Sequence, residues 1–93
     1  MREEILRKRL EISGRVQGVG FRWRARHAAE AVGATGWVRN NPDGTVSMEI
    51  QGSEEQIDKV MELISSGTYV EIDRLEVKKI DIDPDEQEFG VRW

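Results

Sequence analysis

Residues 5–33 are ILRKRLEISGRVQGVGFRWRARHAAEAVG, and the spacing of their hydrophobic side chains changes within the stretch. At first these residues alternate with charged ones, which predicts a β-strand over Ile5–Ser13 with one face toward a core. Beyond the glycine-rich segment Gly14–Gly20 they follow the period of a helix, which predicts a helix over Phe21–Val32. Gly33 suits the left-handed cap of that helix. A strand and a helix joined by a short glycine-rich turn therefore form the first unit of the fold.

The middle of the chain predicts a hairpin and a second helix. A short strand over Gly36–Asn40 and another from Val46 flank Asn41-Pro42-Asp43-Gly44, which is a typical turn sequence. Ser53-Glu54-Glu55-Gln56 is a capping box and predicts the start of a helix, which Gly67 ends. The hairpin and the helix add β-β-α to the first strand and helix.

The last part of the chain predicts a long strand and a short one. The long strand contains Ile72, Leu75, Val77, Ile80 and Ile82. Its alternation slips at Lys78-Lys79, where a β-bulge would restore the inward face. Phe89, Val91 and Trp93 alternate as a short terminal strand. The order β-α-β-β-α-β plus a short strand predicts an α+β fold in one domain over residues 1–93. It is the ferredoxin-like split β-α-β sandwich, with two helices on one face of a mainly antiparallel sheet.

Two strand ends meet in this topology. The first two strands are joined by a helical crossover, so they run parallel with the third strand between them. Their carboxyl ends then lie on the same rim of the sheet, roughly 10 Å apart at two strand spacings. Gly14–Gly20 follows the first strand, and Asn40 ends the second. We therefore expect the glycine-rich turn and Asn40 to lie close together.

The turn Gly14–Gly20 has the features of an anion site. Its three glycines allow a tight curl and a close approach of a ligand to the backbone. The helix that follows presents free N–H groups and the positive end of its dipole. Arg22 lies in the first helical turn and leans back toward the turn, where its guanidinium can bind phosphate oxygens. Walker and dinucleotide motifs fit poorly, because Phe21 and Trp23 stand where they need other residues.

Composition excludes several classes of protein. The 93 residues contain no cysteine and one histidine, which excludes disulfides, zinc–thiolate sites, thiol nucleophiles and a His–His metal site. No apolar run approaches the roughly 20 residues that span a membrane. Met1–Arg9 lacks the apolar stretch of a signal peptide, and we expect a cytoplasmic protein. The net charge of −4 argues against general nucleic-acid binding, although residues 1–47 carry +4 and residues 48–93 carry −8.

Two motifs make the chain recognisable. Gly14–Arg22 (GRVQGVGFR) and Gly36–Asn40 (GWVRN) resemble the signature of the acylphosphatase family. The resemblance extends to DGTV at 43–46, QG at 51–52 and FGVRW at 89–93, and so covers essentially the whole chain. It implies a small, ferredoxin-like enzyme that hydrolyses the carboxyl–phosphate bond of small acyl phosphates without a metal or any other cofactor.

The resemblance also implies roles for individual residues. Arg22 would be the catalytic arginine that binds the phosphate, and Asn40 would position the attacking water. The backbone of the turn would be the substrate phosphate-binding loop, made of Arg15, Val16, Gln17, Gly18, Val19 and Gly20. The implied partners are a small acyl phosphate as substrate and inorganic phosphate as product and competitive inhibitor. We expect a monomer, without a nucleic-acid or membrane partner.

Other interpretations of the same residues stay open at this point. The alternative for Arg22 is a surface arginine, and the alternative for Asn40 is a turn residue before Asn41-Pro42. Arg15 and Gln17 would then only stabilise the loop. For the whole chain, a binding module that holds an anion without turnover competes with the enzyme. An RNA-recognition domain shares the topology but needs aromatic residues on the first and third strands, which contain none.

Overall fold

The fold is a five-stranded mixed sheet with two helices, as the order of elements predicts. A computed structural model describes residues 4–67 and 69–92. The strand order is β4-β1-β3-β2-β5, with all neighbours antiparallel except β2 and β5. The elements are β1 (Leu6–Arg15), α1 (Phe21–Val32), β2 (Thr35–Asn40), β3 (Val46–Gly52), α2 (Glu54–Ser65), β4 (Glu71–Ile80) and β5 (Phe89–Arg92).

Both helices pack on one face of the sheet, because one hydrophobic core contains residues of α1, of α2 and of alternate strand positions. Helix α1 begins and ends at the predicted residues, between Gly20 and Gly33, which both have φ +77°. The predicted capping box of α2 is present, with Ser53 and Gln56 bonded reciprocally. Core residues from the helices and the central strands include Leu10, Ile12, Phe21, Ala25, Met48, Ile50, Ile57, Val60 and Ile64. Burying each large side chain contributes about 1.5–3 kcal/mol.

The predicted bulge in the last long strand is wrong. The register between β1 and β4 is continuous at Lys78-Lys79 and shifts instead between Ser13 and Gly14, which lie opposite Arg74 and Ile72. The extra residue is therefore Asp73. This bulge places Ile72 on the same face as Leu75 and Val77. Ile80 is paired with Arg7 and faces the opposite side of the sheet.

Element ends differ slightly from the prediction. Strand β1 continues to Arg15, because pairing with β4 resumes after the bulge. Strand β4 ends at Ile80, so Ile82 lies beyond it, and α2 ends at Ser65 rather than at Gly67. The predicted terminal strand is present as Phe89–Arg92, and its predicted last residue, Trp93, lies outside the described residues. Neither described helix is long and apolar enough to cross a membrane.

The second face of the sheet carries charged side chains that are paired with one another. Arg7 is only 4% exposed and forms ion pairs with Glu49 and Glu86 at 2.9 and 2.8 Å. Arg9 bridges the other oxygen of Glu49 to Glu11. Burial raises the pKa of Glu49, but hydrogen bonds from Arg7 and Arg9, together with their charge, outweigh that effect and hold the pKa below its ordinary value of 4.5.

Candidate active site

A cavity of about 330 Å³ opens at the rim where β1 and β2 end. It joins the glycine-rich turn to Asn40, which is the juxtaposition that the topology predicts. The turn leads into α1, so the first helical turn also lies against the cavity. The lining residues are Val16, Gly18, Gly20, Phe21, Arg22, Trp23, Arg26, Asn40 and Val91.

The glycines leave space in front of the loop backbone. Gly18 and Gly20 have φ +73° and +77°, which side chains rarely adopt, and a Cβ at either position would meet no described atom within 4 Å. Gly14 is different, because a Cβ there would collide with the carbonyl oxygen of Glu71 on β4. Gly14 therefore permits close strand packing, whereas Gly18 and Gly20 keep the loop backbone open to the cavity.

Helix α1 begins without a side-chain cap. Gly20 is the N-cap residue, and no described side chain accepts a hydrogen bond from the first amides in that role. The first turn contains no acidic residue but two arginines, Arg22 and Arg24. Cations are unfavourable at the positive end of a helix dipole. An anion at this end would complement both the amides and the half-buried Arg22.

Asn40 is the last residue of β2, lines the cavity and carries an unusual buried atom. Its amide oxygen Oδ1 is buried, and no hydrogen-bond donor among the described residues reaches it. Leaving such a group unpaired costs about 1–3 kcal/mol. The neighbouring Asn41 has ordinary structural bonds, since its Nδ2 donates to Thr45 Oγ1 at 3.0 Å and to Ser47 Oγ at 2.8 Å. The turn itself therefore uses Asn41, whereas Asn40 is one of the residues that line the cavity.

Gln17 ties the loop to the β2–β3 hairpin. Its Nε2 donates to the carbonyl oxygens of Asn41 and Thr45, both at 2.8 Å. These bonds fix the position of the loop relative to the end of β2, where Asn40 lies. Gln17 is thus a bridge between the two parts of the cavity wall rather than part of the lining.

The six residues assigned to the phosphate-binding loop occupy different environments. Val16, Gly18 and Gly20 line the cavity, and the Val16 side chain is fully buried in the core. Val19 packs partly buried against that core. Arg15 is exposed and is the last residue of β1, paired with Glu71.

Sequence reasoning missed the contributions of Trp23 and Val91 to the lining. The spacing of Trp23, Arg26 and His27 on one face of α1, directly after the turn, is a signal that could have identified part of this wall.

The cavity is positively charged. Its described lining includes Arg22 and Arg26 and no carboxylate, and Arg26 pairs with Glu30 at 3.4 Å on its outer side. Within residues 4–67 and 69–92, no three His, Asp or Glu side chains are grouped as metal ligands. The arrangement therefore suits a small anion held by arginine and backbone amides.

Comparison with known proteins agrees with this geometry. The Acylphosphatase family model matches residues 8–91. An acylphosphatase from Geobacillus thermodenitrificans is 42% identical over 83 residues, covering 88% of each chain. The crystal structure of acylphosphatase from Bacillus subtilis has a TM-score of 0.86 at 28% identity and covers 95% of this chain and 99% of that one.

A larger protein contains a similar unit. The structure of full-length HypF in its phosphate- and nucleotide-bound form has a TM-score of 0.87 at 26% identity, and covers all of this chain and 12% of HypF. The family model and the Geobacillus relative each match most of the present chain. The chain therefore belongs to the acylphosphatase family and is a hydrolase that acts on acyl phosphates.

Proposed function

We propose that the cavity hydrolyses the carboxyl–phosphate bond of small acyl phosphates without a metal ion. In this proposal Arg22 and the loop amides hold the phosphoryl group, and Asn40 orients the attacking water. The observation that carries the proposal is that Asn40, whose buried Oδ1 has no partner among the described residues, lines the same cavity as Arg22 and the start of α1. That oxygen is an acceptor to which a water can donate.

The reaction needs few catalytic groups because the substrate is a mixed anhydride, whose carboxylate is a good leaving group. The bond between phosphorus and the bridging oxygen breaks, and its electron pair leaves with the carboxylate, which is stable near neutral pH. The water oxygen bonds to phosphorus, one of its protons stays on that oxygen, and a phosphate oxygen takes the other. The products are a carboxylate and dihydrogen phosphate, so neither a strong general acid nor a protein base is required.

Arg22 and the loop amides have the electrostatic role in this proposal. Phosphoryl transfer passes through a transition state with charge spread over the phosphate oxygens. A guanidinium and fixed N–H groups in a cavity lined without carboxylates stabilise that charge with little reorganisation. The leaning of first-turn side chains toward the helix start brings Arg22 over the loop.

Asn40 has the positioning role. Its oxygen accepts a hydrogen bond from the water, while its amide nitrogen can donate to a substrate oxygen. Holding a water in line with the breaking bond supplies part of the rate acceleration through orientation alone. Gln17 supports this geometry indirectly, through its two bonds to the hairpin backbone.

An anion-binding module without turnover is the second candidate function. The observation that favours it is that the whole chain corresponds to only 12% of HypF, a much larger protein. A module of that kind needs the amides and Arg22, but it has no use for an unpaired Asn40 oxygen. The enzyme accounts for both features.

The remaining parts of the proposal concern the state of the protein. We propose a single domain that works as a monomer, because the buried residues of both helices belong to one core. Inorganic phosphate would compete with substrate, since it would bind the same loop amides and Arg22. The proposed compartment is the cytoplasm, because a doubly charged acyl phosphate does not cross a bilayer unaided.

Phosphate release from acetyl phosphate and from benzoyl phosphate, with EDTA present, tests the proposed function. Turnover of both substrates that is unaffected by EDTA and competitively inhibited by phosphate supports the enzyme. Phosphate binding without turnover of either substrate supports the binding module. Activity lost with EDTA and restored by a divalent cation contradicts the metal-free mechanism.

A further inference from the structure

Trp23 is an exposed aromatic side chain beside the proposed phosphate site, which consists of the loop amides and Arg22. It follows Arg22 on α1, lines the cavity and is 66% exposed. Phe21, at the start of the same helix, is by contrast buried in the core at 2% exposure. An indole left in water at the mouth of a cavity provides apolar surface that a ligand can cover.

The cavity is larger than a phosphate group needs. Its volume of about 330 Å³ reaches the range of pockets that bind small organic molecules, which begins at roughly 300 Å³. A phosphoryl group held at Gly18, Gly20 and Arg22 would leave room on the side of Trp23 and Val91. In an acyl phosphate, the part beyond the carbonyl would fill that room.

The Trp23 ring is held by a neighbour. It contacts the ring of His27, one helical turn further along, with centroids 4.3 Å apart and planes tilted by 52°. Such pairs restrict the rotation of the indole. Arg26 lies on the same side of α1, lines the cavity and pairs with Glu30 at 3.4 Å. Beyond the proposed phosphate site, the cavity wall therefore consists of the Trp23 ring, packed against His27, with Arg26 and the apolar Val91 beside it.

We infer that Trp23, together with Val91, forms a subsite for the acyl end of the substrate and favours aromatic acyl phosphates over short aliphatic ones. The inference rests on the proposed function, since it assumes that the phosphoryl group lies at Arg22. A flat aromatic acyl group, conjugated with its carbonyl, covers the indole and gains a contact that an acetyl group is too small to make. Trp23 is then a specificity-determining residue.

The test compares two substrates in one variant. In Trp23→Ala, the kcat/KM for benzoyl phosphate relative to that for acetyl phosphate should fall about three- to tenfold. The change should lie mainly in KM, because the contact forms in the ground state as well as in the transition state. Trp23→Phe should restore most of the ratio, since it keeps an aromatic face. Tyr69→Ala is the matched control, because Tyr69 is equally exposed at 69% and does not line the cavity.

Non-hydrolysable analogues separate binding from chemistry. Phenacylphosphonate and acetonylphosphonate carry a methylene group in place of the bridging oxygen, and they differ only in the acyl end. The wild-type protein should bind phenacylphosphonate more tightly, as measured by inhibition constants, and Trp23→Ala should reduce that difference.

The results of these experiments distinguish a failure of the Trp23 subsite from a failure of the proposed hydrolysis of acyl phosphates. A wild-type protein that hydrolyses both substrates, with a ratio that Trp23→Ala leaves unchanged, overturns the subsite and leaves the proposed function intact. Equal losses for both substrates also overturn it, since they mean that Trp23 only supports the fold of α1. A wild-type protein that hydrolyses neither substrate contradicts the proposed function itself.

Discussion

Asn40 and Asn41 show how adjacent identical residues acquire different roles. The Asn41 side chain bonds within its own hairpin, to Thr45 and Ser47. Asn40 lies one position earlier, so its side chain points to the opposite face of the sheet, toward the cavity. Local sequence cannot distinguish a turn asparagine from one that lines a cavity, because the difference depends on which face of the sheet α1 covers. The resemblance to a family motif singled out Asn40, and the unpaired oxygen supplies a physical reason.

Asn40→Ala should lower kcat for benzoyl phosphate by at least about 100-fold, because the attacking water loses its acceptor. The inhibition constant of phosphate should change far less than kcat, since the anion keeps Arg22 and the amides and loses at most the bond from the Asn40 amide nitrogen. The free energy of unfolding, measured in urea, should not decrease, because the oxygen that is removed has no partner among the described residues.

Asn41→Ala is the control for that variant, and it should lose about 1–2 kcal/mol of stability with the hydrogen bonds that its side chain makes to Thr45, Ser47 and Arg39. Equal losses of turnover and phosphate affinity in Asn40→Ala would make Asn40 a binding residue and contradict the positioning role.

Arg22→Ala should reduce kcat/KM by at least about 10²–10³-fold and weaken inhibition by phosphate, because the transition state loses its main charge partner. Arg22→Lys should recover only part of the rate, since a point charge replaces a bidentate fork. Steady-state hydrolysis of benzoyl phosphate measures both effects. Arg24→Ala is the control, because Arg24 is on the same helix but does not line the cavity, and near-normal turnover of Arg22→Ala would refute the role of Arg22.

Among the helices and strands, those whose limits are set by local sequence signals were predicted correctly. Helix α1 was predicted to the residue, because glycines bound it on both sides. The bulge of β4 was misplaced, because the hydrophobic alternation slips twice, between Ile72 and Leu75 and again after Val77. Only pairing with β1 decides which slip is a bulge, and Gly14 is where the two backbones come too close for a side chain. The pairing of β4 with β1 is a tertiary contact, so the hydrophobic alternation within β4 does not reveal it.

Gly14→Ala should destabilise the protein by at least about 2 kcal/mol, because its Cβ would collide with the Glu71 carbonyl at φ +128°. Gly90→Ala is the matched control on β5, where a Cβ would meet no described atom within 4 Å, and it should be neutral or stabilising by up to about 1 kcal/mol. Urea unfolding of both variants measures the difference. Equal stability of the two would contradict the close packing of β1 on β4.

At the scale of the whole molecule, the two faces of the sheet have separate functions. The helix-covered face supplies the core and, at its rim, the cavity. The other face joins β1, β3 and the segment before β5 through the buried Arg7, which binds Glu49 and Glu86. These pairs were not predictable from the sequence, because alternating charges look alike until the register between β1 and β3 is known. The predicted topology, by contrast, sufficed to bring the turn and Asn40 together.

The Glu49 network should make the protein less stable in acid. Because the pKa of Glu49 lies below 4.5 in the folded state, the unfolded state binds more protons as the pH falls below that value. The stabilisation is complete above about pH 4.5 and is lost as the pH falls through the folded pKa. Glu49→Gln should cost about 1–3 kcal/mol at pH 7 and flatten the acid dependence.

Unfolding in urea between pH 2 and pH 7 measures this dependence. Glu55→Gln is the control, since Glu55 is exposed on α2. An acid dependence that is the same in the Glu49→Gln variant and in the wild type would contradict the contribution of this network.

A crystal structure with inorganic phosphate bound tests whether Arg22, the loop and Asn40 form one phosphate site. We expect phosphate at the amides of the loop that ends at Gly20, with an Arg22 guanidinium nitrogen within about 3 Å of a phosphate oxygen. A water should lie between the phosphate and Asn40 Oδ1, at hydrogen-bond distance from that oxygen. Phosphate bound elsewhere, for example at Arg39 and Arg92 around Trp37, would contradict the proposed site. An Asn40 oxygen bonded to a protein donor in the complex would contradict its proposed role in holding the water.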